Sequence, residues 1–264
     1  MKIIQDQLHR TIHLDRVPKR IVSLVPSQSE LLCDLGLEDY IVGITKFCVH
    51  PGHLKNSKVI IGGTKEVNYS KIKALNPDII LCNKEENALH MIEDLEAIAP
   101  VHISDIFTLE DSLDLIMSYA ELFSCEAKAV AIKEEINFNL MDFQKYIATK
   151  PIHRVAYFIW RKPWMVAANN TFINYLLELN KFENVYSGLE RYPEIDLNEL
   201  ALQTNLDYVF LSSEPFPFKE VHALELEELL QDSKTIFVDG EYFSWYGSRL
   251  RKAFEYFKDL RSRL

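Results

Sequence analysis

Residues 101–150 have the sequence VHISDIFTLEDSLDLIMSYAELFSCEAKAVAIKEEINFNLMDFQKYIATK, which contains no glycine or proline and lies between Pro100 and Pro151. Proline and glycine are the residues that most often interrupt a helix, so their absence over this length favours continuous helical structure. Apolar side chains also recur at the spacing of one helix face. These residues are Leu109, Leu113, Ile116, Met117, Ala129, Ile132, Ile136, Leu140, Phe143 and Ile147.

Two start signals divide this stretch into two helices. Thr108 is followed three residues later by an aspartate, as in a capping box, and Ser124 is followed by a glutamate two residues later. The pattern predicts one helix over residues 109–123 and a second over residues 125–148, which would span roughly 35 Å. Periodicity alone leaves two interpretations open: a rigid helix that joins two lobes, or a long packing helix inside one domain.

Strand and helix patterns alternate on both sides of the long helix, which is typical of βαβ units and a mostly parallel sheet. We therefore predict two three-layer α/β lobes joined by one long helix, with an N-terminal lobe over 1–124, a linking helix over 125–148 and a C-terminal lobe over 149–264. The predicted strands are Thr11–Leu14, Arg20–Val25, Tyr40–Thr45, Val59–Ile61, Asp78–Cys82, Val101–Ser104, Arg154–Trp160, Trp164–Ala168, Tyr208–Ser212 and Thr235–Val238. The other predicted helices cover residues 27–36, 68–75, 86–98, 170–180, 196–203, 218–230 and 248–260.

The two halves also resemble each other in sequence. The stretch NPDIILCNKE over residues 76–85 aligns with NLDYVFLSSE over residues 205–214, and the asparagine, aspartate and glutamate coincide. Each copy follows a short predicted helix and continues into a polar loop. The matches predict that the two lobes arose by duplication and that these strands occupy equivalent places in the two sheets.

Composition excludes several classes of protein. The chain has 264 residues and a formal net charge of −10, which disfavours nucleic acid as a partner. No apolar run approaches the ~18 residues of a membrane span. The N-terminus turns polar after Ile4 and lacks the apolar segment of a signal peptide, so a cytoplasmic protein is expected from the chain as given. A periplasmic or cell-surface location is expected instead if a leader has been removed.

The candidate ligand site lies in the loops that follow the predicted strands, since ligands of open parallel sheets bind beyond the carboxyl ends of the strands. Aromatic and basic residues in these loops favour a large flat ligand that carries negative charge. The alternative is that the rings pack the ends of the sheets. The predicted ligand-binding residues are Lys46, Phe47, Lys65, Trp160, Arg161, Trp164, Glu214, Phe216, Phe218, Tyr242, Trp245 and Arg249.

A second hypothesis is direct binding of a transition metal. Cys48, His50 and Glu85 lie in these loops, and a thiolate, an imidazole and a carboxylate are metal ligands. The alternative is that Cys48 is a small buried group and His50 a turn residue before Pro51. Phosphate-binding glycine motifs and a nucleophile elbow are absent from the sequence, so we expect no enzyme and no catalytic cofactor. An enzyme acting on a tetrapyrrole or chelated metal, with His50 or Glu85 as acid or base, stays open as a third hypothesis.

Several motifs resemble one known family. PKRIVSLVPSQSELL over residues 18–32, with VGIT over 42–45, resembles the opening of ABC-importer substrate-binding proteins for cobalamin and ferric siderophores. GGTK over 62–65, followed by IKALNPDII over 72–80, is similar to the next signature of that family. The resemblance implies a class III periplasmic-binding-protein-like fold, in which two α/β lobes joined by a long helix hold a metal chelate in the cleft between them.

The resemblance also implies a function and a partner. Such proteins bind a ferric siderophore or a cobalamin-like corrinoid and hand it to an ABC permease in the membrane. Tyr242 matches a position that is aromatic in cobalamin-binding members, while Thr64 falls where another is aromatic. Ser70 and Ser244 match the positions at which those members present glutamates to the permease. These departures leave room for a cytosolic relative that works without an importer.

Overall fold

The computed structural model describes residues 2–202 and 205–264. The chain forms two compact units. Unit 1 consists of Met1–Phe138 and Tyr246–Arg251, and unit 2 consists of Asn139–Trp245 and Lys252–Leu264. This division differs from the predicted bounds of 1–124, 125–148 and 149–264, because the boundary falls inside the long helix and a late segment belongs to unit 1.

Unit 1 begins with an antiparallel pair of strands and continues with an alternation of strands and helices. Its strands are β1 (Lys2–Gln5), β2 (Thr11–Leu14), β3 (Ile21–Ser23), β4 (Ile41–Ile44), β5 (Val59–Ile60), β6 (Ile79–Asn83) and β7 (Val101–Ser104). Its helices are α1 (Pro26–Asp34), α2 (Leu54–Ser57), α3 (Tyr69–Ala74), α4 (Leu89–Glu96), α5 (Leu109–Phe123) and the first part of α6 (Glu126–Ala148). Two short 3-10 helices cover Glu38–Tyr40 and Gly247–Arg249.

The main sheet of unit 1 has the strand order β5-β4-β3-β6-β7, and all of its pairs are parallel. Every residue of β6 is buried, as expected for a strand that is covered on both faces. Val22, Ile80 and Leu95 belong to the core that covers the sheet. The α/β class with mostly parallel sheets that the sequence predicted is confirmed.

The predicted helical stretch is present, with one local difference. Thr108 and Asp111 form a capping box at the start of α5, as predicted. Ser124 does not begin the next helix but ends α5, with a left-handed backbone at φ 56°. The predicted apolar face of α6 is largely buried: Ala129, Ile132, Ile136, Phe143 and Ile147 are buried, and Leu140 is half-buried.

Unit 2 repeats the alternation around a second sheet. Its strands are β8 (His153–Trp160), β9 (Met165–Val166), β10 (Phe182–Asn184), β11 (Tyr208–Ser212) and β12 (Lys234–Val238). Its helices are the remainder of α6, then α7 (Phe172–Leu179), α8 (Leu197–Ala201), α9 (Glu220–Leu229), α10 (Gly240–Ser244) and most of α11 (Leu250–Arg263). The sheet has the order β10-β8-β11-β12 with parallel pairs, and β9 pairs antiparallel with β8.

Three predictions for unit 2 differ from the structure in detail. The strand predicted over Trp164–Ala168 is shorter and pairs antiparallel as β9. The sequence analysis missed β10 and α10, which are short elements in segments to which it assigned no helix or strand. The helix predicted to end near Gln203 ends at Ala201 as α8; Gln203 itself lies outside the described residues.

The sequence repeat corresponds to equivalent strands. β6 and β11 each pair with the first long parallel strand of their sheet, β3 and β8 respectively. Asp78 accepts a hydrogen bond from the backbone N–H of Arg20 at 3.0 Å, and Asp207 accepts one from the backbone N–H of Arg154 at 2.7 Å. The same aspartate therefore anchors the start of the neighbouring strand in both units, which supports duplication.

Candidate functional site

Each sheet has one point at which the strand order reverses. In unit 1, β4 and β5 lie on one side of β3 while β6 and β7 lie on the other, so the order reverses between β3 and β6. In unit 2, β10 lies on one side of β8 while β11 and β12 lie on the other, so the order reverses between β8 and β11. Ligands of open α/β sheets bind outside the carboxyl ends of the strands at such points. The two candidate edges are therefore the loops that follow these strand pairs.

The edge of unit 2 carries a cluster of predicted aromatic residues. Trp160 ends β8 and Phe216 lies in the loop after β11, with their ring centroids 5.6 Å apart in an edge-to-face arrangement. Phe218 contacts Phe216 at 4.8 Å and stacks with Trp164 at 6.0 Å. Trp160 is 40% exposed whereas Phe218 is buried. The structure thus joins four predicted residues into one cluster whose outer ring is available to a ligand.

Tyr242 and Trp245 belong to the same unit but have other surroundings. Tyr242, on α10, stacks with Tyr256 at 4.6 Å. Trp245 is buried, and its Nε1 donates a hydrogen bond to Glu214 Oε1 at 2.9 Å. Trp245 therefore holds a polar side chain of the edge in place, rather than presenting its ring to solvent.

Glu214 lies two residues after β11, at the point where the strand order reverses. Its Oε1 also accepts a hydrogen bond from Ser244 Oγ at 2.6 Å. Burial raises the pKa of Glu214; the hydrogen bonds from Ser244 and Trp245 oppose this shift, and the neighbouring carboxylates of Glu241 and Asp239 add to it. The site therefore contains a partly buried carboxylate whose position is fixed by its neighbours.

Arg161 directly follows β8 and is already paired. Its Nε and Nη2 donate to Glu225 Oε2 at 3.0 and 2.6 Å, and its guanidinium lies 5.3 Å from the centre of the Trp164 ring. The sequence predicted that Arg161 would meet an anionic group. In the structure, the anionic group that Arg161 contacts is the carboxylate of Glu225.

In unit 1, three predicted ligand-binding residues lie in the loops after β4 and β5: Lys46, Phe47 and Lys65. Phe47 is 48% exposed, and the Nζ of Lys46 lies 5.1 Å from the centre of its ring. Lys65 Nζ donates to the carbonyl oxygen of Glu85 at 2.7 Å, which joins the loop after β5 to the loop after β6. The exposed ring of Phe47, with Lys46 beside it, is the part of this edge that a ligand could cover.

Arg249 has a structural role in unit 1. It is buried, and its Nε donates to Glu30 Oε2 at 2.9 Å. Burial raises the pKa of Glu30, and the charge and hydrogen bond of Arg249 oppose that shift. Gly247 supports the same segment, because its backbone N–H donates to Ser112 Oγ at 2.8 Å. These contacts explain why Tyr246–Arg251 packs with unit 1.

The direct-metal hypothesis named Cys48, His50 and Glu85, and the surroundings of Cys48 bear on it. Cys48 is fully buried, and its sulfur lies 3.1 Å from Ser29 Oγ and 3.3 Å from Thr45 Oγ1. Burial raises the pKa of the Cys48 thiol, which disfavours the thiolate that a metal requires. Over residues 2–202 and 205–264, no three His, Cys, Asp or Glu side chains are grouped so that they could hold a metal ion, and this includes His50 and Glu85.

Sequence reasoning missed a buried polar network beneath the edge of unit 1. Gln28 Nε2 donates to Ser104 Oγ at 2.7 Å and to the Tyr246 hydroxyl at 3.0 Å, while its Oε1 accepts from the Tyr119 hydroxyl at 2.7 Å. Asn83, the last residue of β6, donates to Ser104 Oγ at 3.0 Å. The helix predicted over residues 27–36 begins one residue earlier, at Pro26, as α1, and it has no side-chain cap. A buried glutamine has no local sequence signature.

Comparison with known proteins identifies the family. A model of the family described as periplasmic binding protein matches residues 21–235. The chain belongs to the periplasmic binding protein family. The family resemblance predicted from the sequence is thereby confirmed, and binding rather than catalysis is the role for which this family is described.

Two curated relatives show how far this periplasmic binding protein resembles others. The chain is 27% identical over 151 residues to an uncharacterised ABC transporter substrate-binding lipoprotein, YvrC, of Bacillus subtilis. That match covers 55% of this chain and 47% of the relative, so about half of the relative's length is spanned. It is also 25% identical over 242 residues to a vitamin B12-binding protein of Pectobacterium atrosepticum, covering 89% of this chain and 85% of the relative.

The fold agrees with a solved structure. The periplasmic vitamin B12-binding protein BtuF of Vibrio cholerae superposes with a TM-score of 0.79 over 94% of this chain and 99% of that chain, at 18% sequence identity. This likeness supports the class III fold that the sequence predicted. Among the described residues, no helix combines the length and the apolar content that crossing a membrane would require.

Proposed function

We propose that this periplasmic binding protein binds a metal chelate, either a ferric siderophore or a cobalamin-like corrinoid, at the carboxyl ends of its parallel strands, and that it carries out no catalysis. The observation that carries the proposal is the aromatic cluster at the edge of unit 2. Trp160 ends β8 and Phe216 lies in the loop after β11, the two strands between which the order reverses, and Trp160 is 40% exposed. An exposed ring at the expected ligand position favours a ligand with a large apolar face.

The same proposal accounts for the other residues at the edges. Phe47, with Lys46 beside it, gives unit 1 an exposed ring of its own. The relative from Pectobacterium atrosepticum is named as a vitamin B12-binding protein, which supports a ligand of this size and shape. The direct-metal hypothesis has less support, because Cys48 is buried and hydrogen-bonded and the described residues contain no group of three or more possible metal ligands.

We further propose that the protein is the substrate-binding component of an ABC importer and that it acts outside the cytoplasm. The Bacillus subtilis relative is named as an ABC transporter substrate-binding lipoprotein. At the two positions matched to permease contacts, Ser70 is exposed on α3 and Ser244 is hydrogen-bonded to Glu214. Docking on a permease would therefore use other side chains than two glutamates at these positions.

Titration calorimetry of the purified protein with cyanocobalamin, ferric siderophores and free metal ions tests the proposal. We expect saturable binding of at least one chelate. Replacing Trp160 with leucine should weaken that binding about 3- to 10-fold, since an aromatic contact contributes about 0.5–1.5 kcal/mol beyond buried area. Phe138→Leu is the matched control, because Phe138 is 72% exposed on α6 and should not affect the ligand.

The outcomes are distinct. Absence of binding by every chelate would contradict the proposal. Binding of a free metal ion, lost in Cys48→Ser, would favour the direct-metal hypothesis instead. Equal binding by Trp160→Leu and the unmodified protein would show that the ligand lies elsewhere than at the edge of unit 2.

A further inference from the structure

The carboxylate of Glu214 is held firmly, but only one of its oxygens is occupied. Ser244 Oγ and Trp245 Nε1 both donate to Oε1, at 2.6 and 2.9 Å. Within residues 2–202 and 205–264, no other hydrogen bond or ion pair reaches this side chain. An ionised carboxylate accepts hydrogen bonds at both oxygens, so Oε2 keeps its capacity to accept one.

The backbone around Glu214 fixes the direction of this side chain. Ser212 Oγ donates to the carbonyl oxygen of Glu214 at 2.6 Å. Gly240 approaches so closely that a Cβ at that position would lie 2.3 Å from Ser212 Oγ and 2.7 Å from Glu214 Cγ. A polar group that is positioned in advance recognises a ligand without a further cost of ordering.

The arginines predicted to receive an anionic ligand are paired within the protein. Arg161 donates twice to Glu225, with a shorter distance of 2.6 Å, and Arg249 donates to Glu30 at 2.9 Å. The carboxylates cancel the two positive charges. A negatively charged ligand would have to displace a partner in order to gain either contact.

The charged groups nearest to Glu214 are also negative. Glu241 and Asp239 both raise its pKa, after the larger effect of burial, and they flank Gly240, which packs against the Glu214 side chain. A carboxylate or catecholate group of a ligand at this point would face three carboxylates. Like charges in such surroundings repel strongly, whereas an N–H donor or a positive charge would be stabilised.

We infer that this site selects chelates without net negative charge that donate an N–H group to Glu214 Oε2. The amide groups of a corrinoid, or the amide and ammonium groups of a hydroxamate siderophore, meet this description. Tris-catecholate complexes of iron(III), with three negative charges, do not. The inference rests on the proposed function and narrows its ligand class.

The test compares two iron(III) complexes that differ in charge. Ferrioxamine B carries one positive charge and amide N–H groups, whereas ferric enterobactin carries three negative charges; cyanocobalamin serves as the uncharged corrinoid. We expect the unmodified protein to bind ferrioxamine B or cyanocobalamin at least about 10-fold more tightly than ferric enterobactin. Raising the salt concentration should reduce the difference between these dissociation constants, because salt screens the repulsion between ferric enterobactin and the carboxylates.

A variant locates the selectivity at Glu214. Glu214→Gln retains an acceptor for Ser244 and Trp245 but removes the charge, so it should weaken binding of the preferred chelate about 10-fold or more and reduce the discrimination against ferric enterobactin. Glu228→Gln is the matched control, since it removes the same charge from an exposed position on α9. It should change each Kd by less than about 2-fold.

Each outcome decides a separate question. Equal or tighter binding of ferric enterobactin by the unmodified protein overturns the inference and leaves the proposed function intact. Failure of every chelate to bind contradicts the proposed function itself. A Glu214→Gln protein that keeps its melting temperature and the original ligand preference overturns the role of Glu214. Because the comparison of chelates uses the unmodified protein, it decides the charge preference even if the variant does not fold.

Discussion

The edges of the two units have the same topology and different chemistry. In unit 1, the side chains beneath the point of strand reversal form a buried network around Gln28, with hydrogen bonds to Ser104, Tyr246 and Tyr119. In unit 2, the corresponding edge exposes Trp160. Topology therefore marks two candidate positions. In unit 1 the point of strand reversal is filled by internal hydrogen bonds and the exposed Phe47 lies in the loop after β4, whereas in unit 2 the exposed ring of Trp160 lies at the point of reversal itself.

The amino ends of the equivalent strands are alike in the two units. Asn76 and Asn205 both have a left-handed backbone, at φ 45° and φ 69°, ahead of equivalent strands. Asp78 and Asp207 both accept a hydrogen bond from the backbone N–H that precedes or opens the neighbouring strand. The amino ends thus keep the contacts that stabilise a sheet, whereas the carboxyl ends have diverged, as expected where ligand recognition takes place.

The largest effect should come from breaking the network of unit 1. Gln28→Ala would remove the hydrogen bonds with Ser104, Tyr246, Tyr119 and the carbonyl oxygen of Cys82, and would leave the buried Tyr119 hydroxyl without its acceptor. We expect a loss of about 2–4 kcal/mol in the free energy of unfolding. Far-UV circular dichroism in urea is the suitable measurement, because all three tryptophans lie in unit 2 and would miss a transition confined to unit 1.

Gln231→Ala is the control for this variant. Gln231 is exposed, and its side chain donates one long hydrogen bond of 3.5 Å to the backbone of Glu228. Its replacement should change the free energy of unfolding by less than about 0.5 kcal/mol. If both variants were equally stable, the polar network would not distinguish the two edges.

A smaller effect is expected at the edge of unit 2. In Gly240→Ala, the added methyl group would lie 2.3 Å from Ser212 Oγ and 2.7 Å from Glu214 Cγ, so the loop after β11 must shift. We expect the free energy of unfolding to fall by about 1–3 kcal/mol, as measured by tryptophan fluorescence during unfolding in urea. Gly188→Ala is the matched control, because a Cβ there meets nothing within 4 Å. A stable Gly240→Ala protein would mean that the position of Glu214 is not set by this contact.

Much of the fold follows from local signals in the sequence. The helix over residues 109–123 was predicted with the bounds of α5, because the capping box and the periodic apolar residues act within one segment. β11 was predicted with its bounds for the same kind of reason, since it is a continuous apolar run. β10 and α10 were missed, because three to five residues carry too little periodicity to outweigh the neighbouring turn residues.

The candidate site could be predicted only in part. The aromatic cluster was found because its members follow strands, and the rule about carboxyl ends depends only on strand order. The partners of Arg161 and Arg249 were missed, since Glu225 and Glu30 are distant in sequence and nothing local marks an ion pair. The prediction of an anionic ligand depended on Lys46, Lys65, Arg161 and Arg249, and the ion pairs remove the two arginines from that set.

The smallest effect is expected at the amino ends of the two equivalent strands, β6 and β11. Asp78 accepts backbone hydrogen bonds from Lys19 and Arg20 and one from the Arg16 side chain, whereas Asp207 accepts one backbone bond, from Arg154. Asp78→Asn should therefore lower the free energy of unfolding by about 1 kcal/mol at pH 7, and Asp207→Asn should lower it by less, as measured by thermal unfolding. Equal costs would show that the extra contacts of unit 1 add nothing.

The pH dependence of the Asp78 variant tests the cause. Burial alone would raise the pKa of Asp78, but the hydrogen bonds from Arg16 and the two backbone groups outweigh it, and the pKa is lowered. A lowered pKa contributes stability above the unfolded value of about 3.9, and this stability is lost as the pH falls through the folded value. The difference in melting temperature between the unmodified protein and Asp78→Asn should therefore shrink from pH 7 to about pH 2.5. A difference that stays constant over this range would assign the cost to shape rather than to charge, and Asp78 would then act only as a spacer before β6.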